Sequence, residues 1–474
     1  MNESDDHPHI RSPKGFGILS PFAGGAIRSI VTITVLSSIG KAIGFIVPFL
    51  VAAWYGADKT TDAVFFAYGF VLTITWFIAP VFESVIVPVL VERRLQGIEI
   101  RTFVLTLFYL ATLIVSVLSL GTLGFLHPFL SIMTAFDPEA RQLLGIIVLE
   151  IIPLVFLITW SSLLTGCLNA INRFNLPAIA LIARSVVTVI VIALLRRSAG
   201  IHAIAWGYVA GETIRFLMVA VSAVRKQLIA FNRLPAFDSK IRLVMTTVSV
   251  QTIGMILQEL NPMIDKIMSS WLPVGSVSVL HYAERLNLIP ITFFSSGLVV
   301  VLLSRWSQVF RGESNGLFKV RVLRNTGMVT LGLIPVVFLI WVTSSWIMHC
   351  LFRSSALGTG ELNRIRVTWL CYLLGFIPAL IVQLLSRALL IYGRLRVLLS
   401  GSCLMVFSNI GLNLMLMPVF GVPGLAVSTS LVWLILSIFY LVCFLRSRES
   451  ADRTRDPGDR SHDPALIRVP TADP

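Results

Sequence analysis

Apolar runs of more than about 18 residues recur along the chain from residue 29 to residue 446. A bilayer has a hydrocarbon core about 30 Å thick, so a helix needs about 20 residues to cross it. The composition agrees, because 56% of the residues are hydrophobic and only 13% are charged, against roughly 25% charged residues in soluble proteins. Long continuous runs also differ from the short alternating segments of a membrane β-barrel. The sequence therefore predicts an all-α polytopic membrane protein.

Twelve transmembrane helices are expected from the limits of these runs. The predicted spans are 28–55, 61–91, 102–133, 142–172, 176–195, 201–224, 242–272, 276–306, 322–352, 366–392, 396–419 and 423–446. The first six form an N-lobe, residues 28–224, and the last six form a C-lobe, residues 242–446. A central cavity is expected between the two six-helix lobes.

Basic residues concentrate in the loops that follow the even-numbered spans, for example at Arg93, Arg173 and Arg394. The positive-inside rule then places both termini in the cytoplasm. Residues 1–27 are expected to be a cytoplasmic tail without a signal peptide, residues 225–241 a cytoplasmic linker, and residues 447–474 a disordered cytoplasmic tail. With this placement, the basic residues behind the net charge of +14 are expected to face anionic lipid head groups and do not indicate nucleic-acid binding. The pair Arg196–Arg197 does not follow this rule.

An internal repeat supports the division into two lobes. LNAINRFNLPAI (168–179) and GIHAIAWGYVAG (200–211) match LLIYGRLRVLLS (389–400) and GVPGLAVSTSLV (421–432) at one offset of 221 residues. A looser match relates residues 52–68 to residues 269–285. Two related halves in the same orientation are typical of many transporters, which bind their substrate between the halves.

Several ionisable residues fall inside predicted spans, where each costs about 2.5–3.5 kcal/mol on insertion scales unless it has a wet cavity or a partner. The pairs Asp265–Lys266 and Glu284–Arg285 are consecutive in sequence, and His281 precedes the second pair by one turn. Arg184, Glu212 and Arg215 fit a structural clamp between two spans. The candidates for a cavity or a coupling role are Glu83, Glu259, Asp265, Lys266 and His281.

The sequence lacks the motifs of catalysis and nucleotide binding. It contains no GxxxxGK[ST], GxSxG or HExxH motif, and its five cysteines show no metal-binding spacing. We therefore expect a transporter without a catalytic motif, a metal or a cofactor. A proton or a sodium ion is a candidate coupling ion, and a monomer is favoured.

Four segments together resemble the MurJ/MviN family of lipid II flippases, within the MOP exporter superfamily. They are GFIVPFLVAAWYGADKTTDAVFFAY (44–68), VIVPVLVERRLQG (85–97), LLTGCLNAINRFNLPAIA (163–180) and IDKIMSSWLPVGSVSVLHYAERL (264–286). The resemblance covers about residues 27–446. It implies two six-helix lobes around a cationic cavity in a bacterial inner membrane. It also implies movement of a lipid-linked glycan on an undecaprenyl-pyrophosphate carrier by alternating access.

The resemblance also suggests four substrate-binding residues. Lys41 falls on a cavity arginine of the family's first span, and Asp62 on the acidic residue of its TDAFF-like stretch. Arg285 falls on the family's essential arginine of the eighth span, and Glu284 on the acidic residue before it. The family's second arginine of span one falls on Val47 in this chain, and its arginine pair of span two falls near Ile74. Members of the family usually have fourteen spans, whereas twelve are expected here.

Three further functions fit the same sequence. A lipid-linked exopolysaccharide repeat-unit flippase would share the family's mechanism with a different glycan. A cation-coupled multidrug-type exporter would use acidic cavity residues, for which Glu83, Glu150 and Asp265 are candidates. A membrane scaffold for glycan synthesis would need no cavity residue at all.

Overall fold

The computed structural model describes residues 21–229, 239–294, 315–353 and 355–447, together with residues 302 and 306. Fourteen α-helices account for nearly all of this described part. They are α1 (Pro21–Tyr55), α2 (Lys59–Leu95), α3 (Arg101–Met133), α4 (Pro138–Ile151), α5 (Pro153–Ala170), α6 (Asn175–Leu195), α7 (His202–Arg225), α8 (Ser239–Ser269), α9 (Ser276–Phe294), α10 (Asn315–Phe352), α11 (Thr359–Leu374), α12 (Phe376–Ile391), α13 (Leu395–Phe420) and α14 (Val422–Arg446).

Each predicted span contains a helix, and the all-α prediction is confirmed. Two spans consist of two helices each, because α4 gives way to α5 at Pro153 and α11 gives way to α12 at Gly375. Within the described residues, nine helical segments are long and apolar enough to cross a membrane. The segments α2, α8 and α9 are not among them. The predicted tails and linker fall largely on residues 1–20, 230–238 and 448–474, outside the described residues.

Short polar signals set the helix boundaries at the turn between α1 and α2 and before α4. Gly56 adopts a φ of +73° after α1, a conformation that glycine reaches without steric cost. The Asp58 carboxylate then accepts hydrogen bonds from the backbone N–H groups of Thr60 and Thr61 and caps α2. Asp137 caps α4 in the same way, and Pro138 occupies the first helical position.

The helices form two lobes whose main contact is between α2 and α8. In the N-lobe, α2 packs on α4 and α5, and α6 packs on α1 and α7. In the C-lobe, α14 packs on α11, α12 and α13. Helix α8 carries Glu259, Asp265 and Lys266, so its contact with α2 brings charged residues to the boundary between the lobes.

The structure reproduces the repeat seen in the sequence. The offset of 221 residues relates the end of α5 at Ala170 to the end of α12 at Ile391, and the end of α7 at Arg225 to the end of α14 at Arg446. Arg196, the exception to the charge rule, lies over the Trp54 ring with 4.6 Å between its guanidinium carbon and the ring centroid. A cation–π contact therefore accounts for this arginine.

Candidate functional site

Hydrogen bonds join the two lobes at one end of the bundle, around the turn between α1 and α2. We call this set of contacts the seal; it consists of residues 53–62 and 133–135 of the N-lobe and residues 270–282 and 356 of the C-lobe. Tyr282 donates to the Gly56 carbonyl oxygen at 2.8 Å, Ala356 N–H to the Ala53 oxygen at 3.1 Å, and the Trp271 ring N–H to the Met133 oxygen at 2.9 Å. The lobes are thus closed against each other at this end.

Asp62, predicted from the resemblance to bind substrate, lies inside the seal. Its side chain is only 4% exposed. Its carboxylate accepts from the backbone N–H groups of Gly275 and Ser278, both at 2.7 Å, and from the Ser278 hydroxyl at 2.6 Å. Asp62 of one lobe therefore caps helix α9 of the other lobe, an arrangement that charge-assisted hydrogen bonds make strong. A role for Asp62 in substrate binding stays a prediction.

The two consecutive charged pairs of α8 and α9 divide between two sides of the C-lobe. Neighbouring residues of a helix point about 100° apart, so members of such a pair face different surroundings. Asp265 and Glu284 line a cavity inside the C-lobe. Lys266 instead reaches α2 of the N-lobe at Gly69, and Arg285 lies within electrostatic range of Tyr208 in α7. The acids face the C-lobe interior, and the bases face the N-lobe.

The cavity inside the C-lobe has a volume of about 520 Å³ and is bounded by α8, α9 and α11–α14. Three of the predicted candidates, Glu259, Asp265 and Glu284, lie on its wall. Arg387 supplies the positive charge of the wall in the part of the chain that is described, and its side chain is exposed. Trp433 and Tyr440 contribute to the apolar part. This interior favours positive charge, and its size suits a small ligand.

Asp265 is the centre of a buried polar cluster at the wall of this cavity. It is 6% exposed, and its two carboxylate oxygens accept hydrogen bonds from the Asn413 amide at 2.7 Å and the Thr429 hydroxyl at 3.1 Å. Asn413 also donates to Asn409 at 3.2 Å, while its own carbonyl oxygen has no hydrogen-bond partner within the described residues. Carboxylate, amide and hydroxyl oxygens gathered in this way are the ligand types of hard cations.

Lys266, His281 and Arg285 form a second cluster, between α8, α9 and α2. His281 is 1% exposed and stacks on the Phe65 ring of α2, with 4.0 Å between the ring centroids. Lys266 is 7% exposed. Both Lys266 and Arg285 interact electrostatically with His281, so the three side chains occupy one neighbourhood at the contact between the lobes.

The N-lobe contains the charged clamp predicted from its sequence. Glu212 of α7 is completely buried; its two oxygens lie 2.9 Å from Arg184 Nε and 2.8 Å from Arg215 Nη1. Tyr68 and Tyr208 stack beside the clamp with 4.2 Å between their ring centroids. Both carboxylate oxygens thus meet a guanidinium, which fits the structural role expected for these residues.

Lys41 and Glu83 are not brought into either cluster by the described contacts. The Lys41 side chain is exposed on α1, next to Gly40, which packs against the backbone of α6 at Ile182. Neither Lys41 nor Arg285 lines the C-lobe cavity, so a hollow shared by these two residues stays a prediction. Glu83 lies in α2, but its side chain is outside the described part of the structure.

Four residues of these clusters were not predicted from the sequence. Asn409, Asn413 and Thr429 surround Asp265, and Gly69 receives Lys266. Asn409 and Asn413 are four residues apart in an apolar helix and share a face, which is a signal that could have found them. Nothing in the sequence around Gly69 indicates its contact with Lys266.

Two related helical lobes, closed against each other at one end and carrying charged residues at their contact, define the class of two-lobed membrane transporters. The chain belongs within this class to a family whose model is described as lipid II flippase MurJ, which matches residues 51–455. It is 22% identical over 367 residues to a probable lipid II flippase MurJ of Buchnera aphidicola subsp. Baizongia pistaciae, covering 76% of this chain and 72% of that protein. A probable lipid II flippase MurJ of Vibrio cholerae is 22% identical, with coverage of 85% and 80%.

Solved structures support the same fold. A structure described as lipid II flippase MurJ in an inward closed conformation matches with a TM-score of 0.75 at 19% identity, covering 87% of each chain. An inward-facing multidrug resistance MATE family transporter of the MOP superfamily matches with a TM-score of 0.71 at 13% identity, covering 88% of this chain and 97% of that one. An outward-facing member of that family gives a TM-score of 0.64. The predicted family and fold class are therefore confirmed.

Proposed function

We propose that this chain moves lipid II, or a close lipid-linked glycan precursor on an undecaprenyl-pyrophosphate carrier, across the bacterial inner membrane. What supports this most is the match of the lipid II flippase family to residues 51–455, nearly the whole membrane domain. Two relatives that match this chain over most of its length are each named probable lipid II flippase MurJ. The chain acts as a transporter and not as an enzyme.

Alternating access is the proposed mechanism. In this conformation the lobes are joined through Asp62, Tyr282 and the other contacts of the seal. With both termini in the cytoplasm, the seal faces the periplasm, and the conformation is one that receives substrate from the cytoplasmic leaflet. Opening of the seal and rocking of the lobes would then release the head group on the outer side. The seal must break in each cycle, because its hydrogen bonds span the two lobes.

The head group of such a substrate carries a diphosphate, and Arg285 is its proposed main ligand. A guanidinium offers two parallel N–H groups to phosphate oxygens, which gives both affinity and orientation. Glu284 is proposed to balance this charge when the site is empty, because it precedes Arg285 and lies close to Lys266. Lys41 is proposed to meet the head group from α1.

A coupling cation is proposed for the C-lobe cavity. Asp265, Asn409, Asn413 and Thr429 offer oxygen ligands, and Glu259 and Glu284 add negative charge to the same wall. A proton or a sodium ion entering from the outside would stabilise one conformation of the C-lobe over the other. The membrane potential would add about 2.3 kcal/mol for each charge moved across 100 mV. We propose a monomer as the working unit.

The test is complementation of a bacterium depleted of its own lipid II flippase. Wild-type chain should restore growth, and Arg285→Ala should not, although both should reach the membrane in equal amount. Arg353→Ala is the matched control, because Arg353 is exposed and lies outside both clusters. Growth with Arg285→Ala equal to the wild type would contradict the proposed role of this arginine.

The same test separates the two flippase functions. A chain that moves exopolysaccharide repeat units should fail to rescue the depleted strain and should restore polymer secretion in a strain that lacks a repeat-unit flippase. Rescue of cell-wall growth with no effect on secretion would favour lipid II.

A second candidate function is export of organic cations. The acidic wall of the C-lobe cavity, with Glu259, Asp265 and Glu284, is the observation that favours it. Cells that express the chain should then resist lipophilic cationic dyes, and Glu259→Gln should remove the resistance. Unchanged dye accumulation would leave the flippase as the supported function.

A further inference from the structure

Helix α2 has a notch at Gly69 that the side chain of Lys266 fills. A β-carbon at position 69 would lie 2.4 Å from Lys266 Nζ, 2.7 Å from its Cδ and 2.9 Å from its Cε. These separations are too short for any residue other than glycine while Lys266 stays in place. The end of a C-lobe side chain therefore rests directly on the backbone of an N-lobe helix.

The charges around Lys266 do not hold it in a close ion pair. No carboxylate or hydrogen-bond acceptor pairs with its ammonium group among the described residues. Glu284 interacts with it most strongly, Arg285 comes next, and Glu259 and Asp265 contribute less. Lys266 thus sits near a second cation, Arg285, without a direct anionic partner. Two positive charges in a partly buried site repel each other, and an anion bound between them would relieve this repulsion.

His281 is an independent indication that an oxygen-rich ligand belongs here. Its ring is 1% exposed, and neither Nδ1 nor Nε2 has a hydrogen-bond partner within the described part of the chain. A buried polar group without a partner costs on the order of 1–3 kcal/mol. An imidazole always carries at least one N–H, which phosphate oxygens accept readily. The unpartnered imidazole lies in the same neighbourhood as Lys266 and Arg285.

We propose that Lys266, His281 and Arg285 together bind the anionic head group, and that Lys266 rests over Gly69 until this anion arrives. The inference rests on the proposed lipid-linked diphosphate substrate, and it adds two ligands from the C-lobe and a holding position in the N-lobe. Lys266 leaves the notch when it meets the diphosphate. Binding of the head group thereby removes one of the contacts between α2 and α8.

This arrangement couples binding to movement of the lobes. A ligand shifts a conformational equilibrium only by its differential affinity for the two states. Here the difference arises because the ammonium group of Lys266 cannot contact both the α2 backbone and the diphosphate. The state in which α2 and α8 separate at Gly69 is therefore the one that the substrate stabilises.

The experiment measures binding of farnesyl pyrophosphate to the purified full-length chain in lipid nanodiscs, with farnesol as the uncharged comparison. The variants are Gly69→Ala, Lys266→Gln and the two combined. Gly124→Ala is the matched control, because Gly124 also lies in a helix but has open space where a β-carbon would be. Farnesol binding should stay the same in all of them.

Gly69→Ala should tighten farnesyl pyrophosphate binding about threefold to tenfold, because the new methyl group expels Lys266 from the notch in advance. Lys266→Gln should weaken binding at least tenfold, since one cation is lost. The combined variant should bind like Lys266→Gln, because no ammonium group remains to be released. Gly124→Ala should bind like the wild type.

Three results would overturn the inference. They are weaker binding by Gly69→Ala, an unchanged affinity in Lys266→Gln, and a gain from Gly69→Ala that persists without Lys266. Gly69→Ala should fold like the wild type, because the atoms that must move belong to the far end of a flexible side chain. Lys266→Arg, which keeps the charge, should retain most of the affinity and provides a second check.

The outcome is separable from that of the proposed function. Failure to rescue a flippase-depleted strain, combined with the expected binding pattern, would reject lipid II as the cargo and keep the diphosphate site. Rescue combined with equal binding by all variants would keep the flippase and reject the role of Lys266.

Discussion

The two lobes share one helical plan, but they treat buried charge in opposite ways. In the N-lobe, Glu212 is enclosed between Arg184 and Arg215 at 2.9 and 2.8 Å. At the repeat offset of 221 residues, Glu212 corresponds to Trp433 and Arg184 to Met405. Both of these C-lobe residues line the cavity. The position that holds a clamp in one lobe borders an open space in the other.

The converse holds for the polar cluster of the C-lobe. Asn409, Asn413 and Thr429, which surround Asp265, correspond to Thr188, Ile192 and Tyr208 in the N-lobe. Tyr208 is stacked on Tyr68 and Ile192 is buried, so the N-lobe has a packed interior there. One half of the repeat therefore has a packed interior around a paired charge, and the other half has a cavity with a polar wall at the corresponding positions.

The largest expected loss of stability comes from removing the Glu212 carboxylate from the clamp. Glu212→Gln leaves two guanidinium groups without an anion in a buried site, and breaking a buried pair from one side costs about 3–5 kcal/mol. Thermal unfolding of the purified protein should show a large loss of stability. Glu259→Gln, on the cavity wall of the other lobe, should change stability by less than about 1 kcal/mol. Equal losses in the two variants would remove the distinction between the lobes.

Close packing of α6 and α7 offers the second way to test the distinction. Gly211 corresponds to Val432 of the C-lobe, and a β-carbon at Gly211 would lie 2.1 Å from Thr188 Oγ1 and 2.6 Å from the Arg184 carbonyl oxygen. Gly211→Val should therefore destabilise the protein by about 1–3 kcal/mol, the usual cost of overpacking. Gly124→Val, where no atom lies within 4 Å, is the control for unfolding measurements. A tolerated Gly211→Val would mean that α6 and α7 can separate.

Asp265→Asn tests the binding lobe through function more than through stability. The substituted amide keeps an acceptor for Asn413 and can still pair with Thr429, so stability should change by about 1 kcal/mol or less. Transport should fall at least tenfold, because the negative charge that would hold a cation is lost. Growth of the depleted strain and thermal unfolding, measured side by side, separate these effects. Unfolding without a transport defect at permissive temperature would make Asp265 a structural residue like Glu212.

The sequence predicted the helices and the lobes better than it predicted the partners of each charge. Long apolar runs leave a chain few alternatives to helices in lipid, and the repeat relates the two lobes directly. The Arg184–Glu212–Arg215 clamp was also predictable, since opposite charges in neighbouring spans need each other. The surroundings of Lys266 were not predictable, because the tertiary contact of α8 with α2 at Gly69 determines them and no sequence pattern indicates that contact. Likewise, the TDAFF-like resemblance identified Asp62 but could not reveal that α9 would occupy its oxygens.

The smallest expected change in stability is at Asp137, a carboxylate of the N-lobe that is paired at the surface, unlike the buried Glu212. Asp137 accepts a hydrogen bond from the Ala140 backbone N–H and pairs with Lys59 at 2.9 Å. Both contacts lower the pKa of Asp137 below its ordinary value, and the backbone hydrogen bond from Ala140 is the larger cause.

The unfolded chain therefore binds the proton at Asp137 more readily than the folded chain does. The stabilisation is complete above the ordinary aspartate pKa and is lost as the pH falls through the lowered pKa of the folded state. Asp137→Asn should lower the melting temperature slightly at neutral pH, and the difference from the wild type should vanish in acid. Because this pair is exposed and water screens it, a loss as large as that of Glu212→Gln would show that burial is not what separates the two carboxylates.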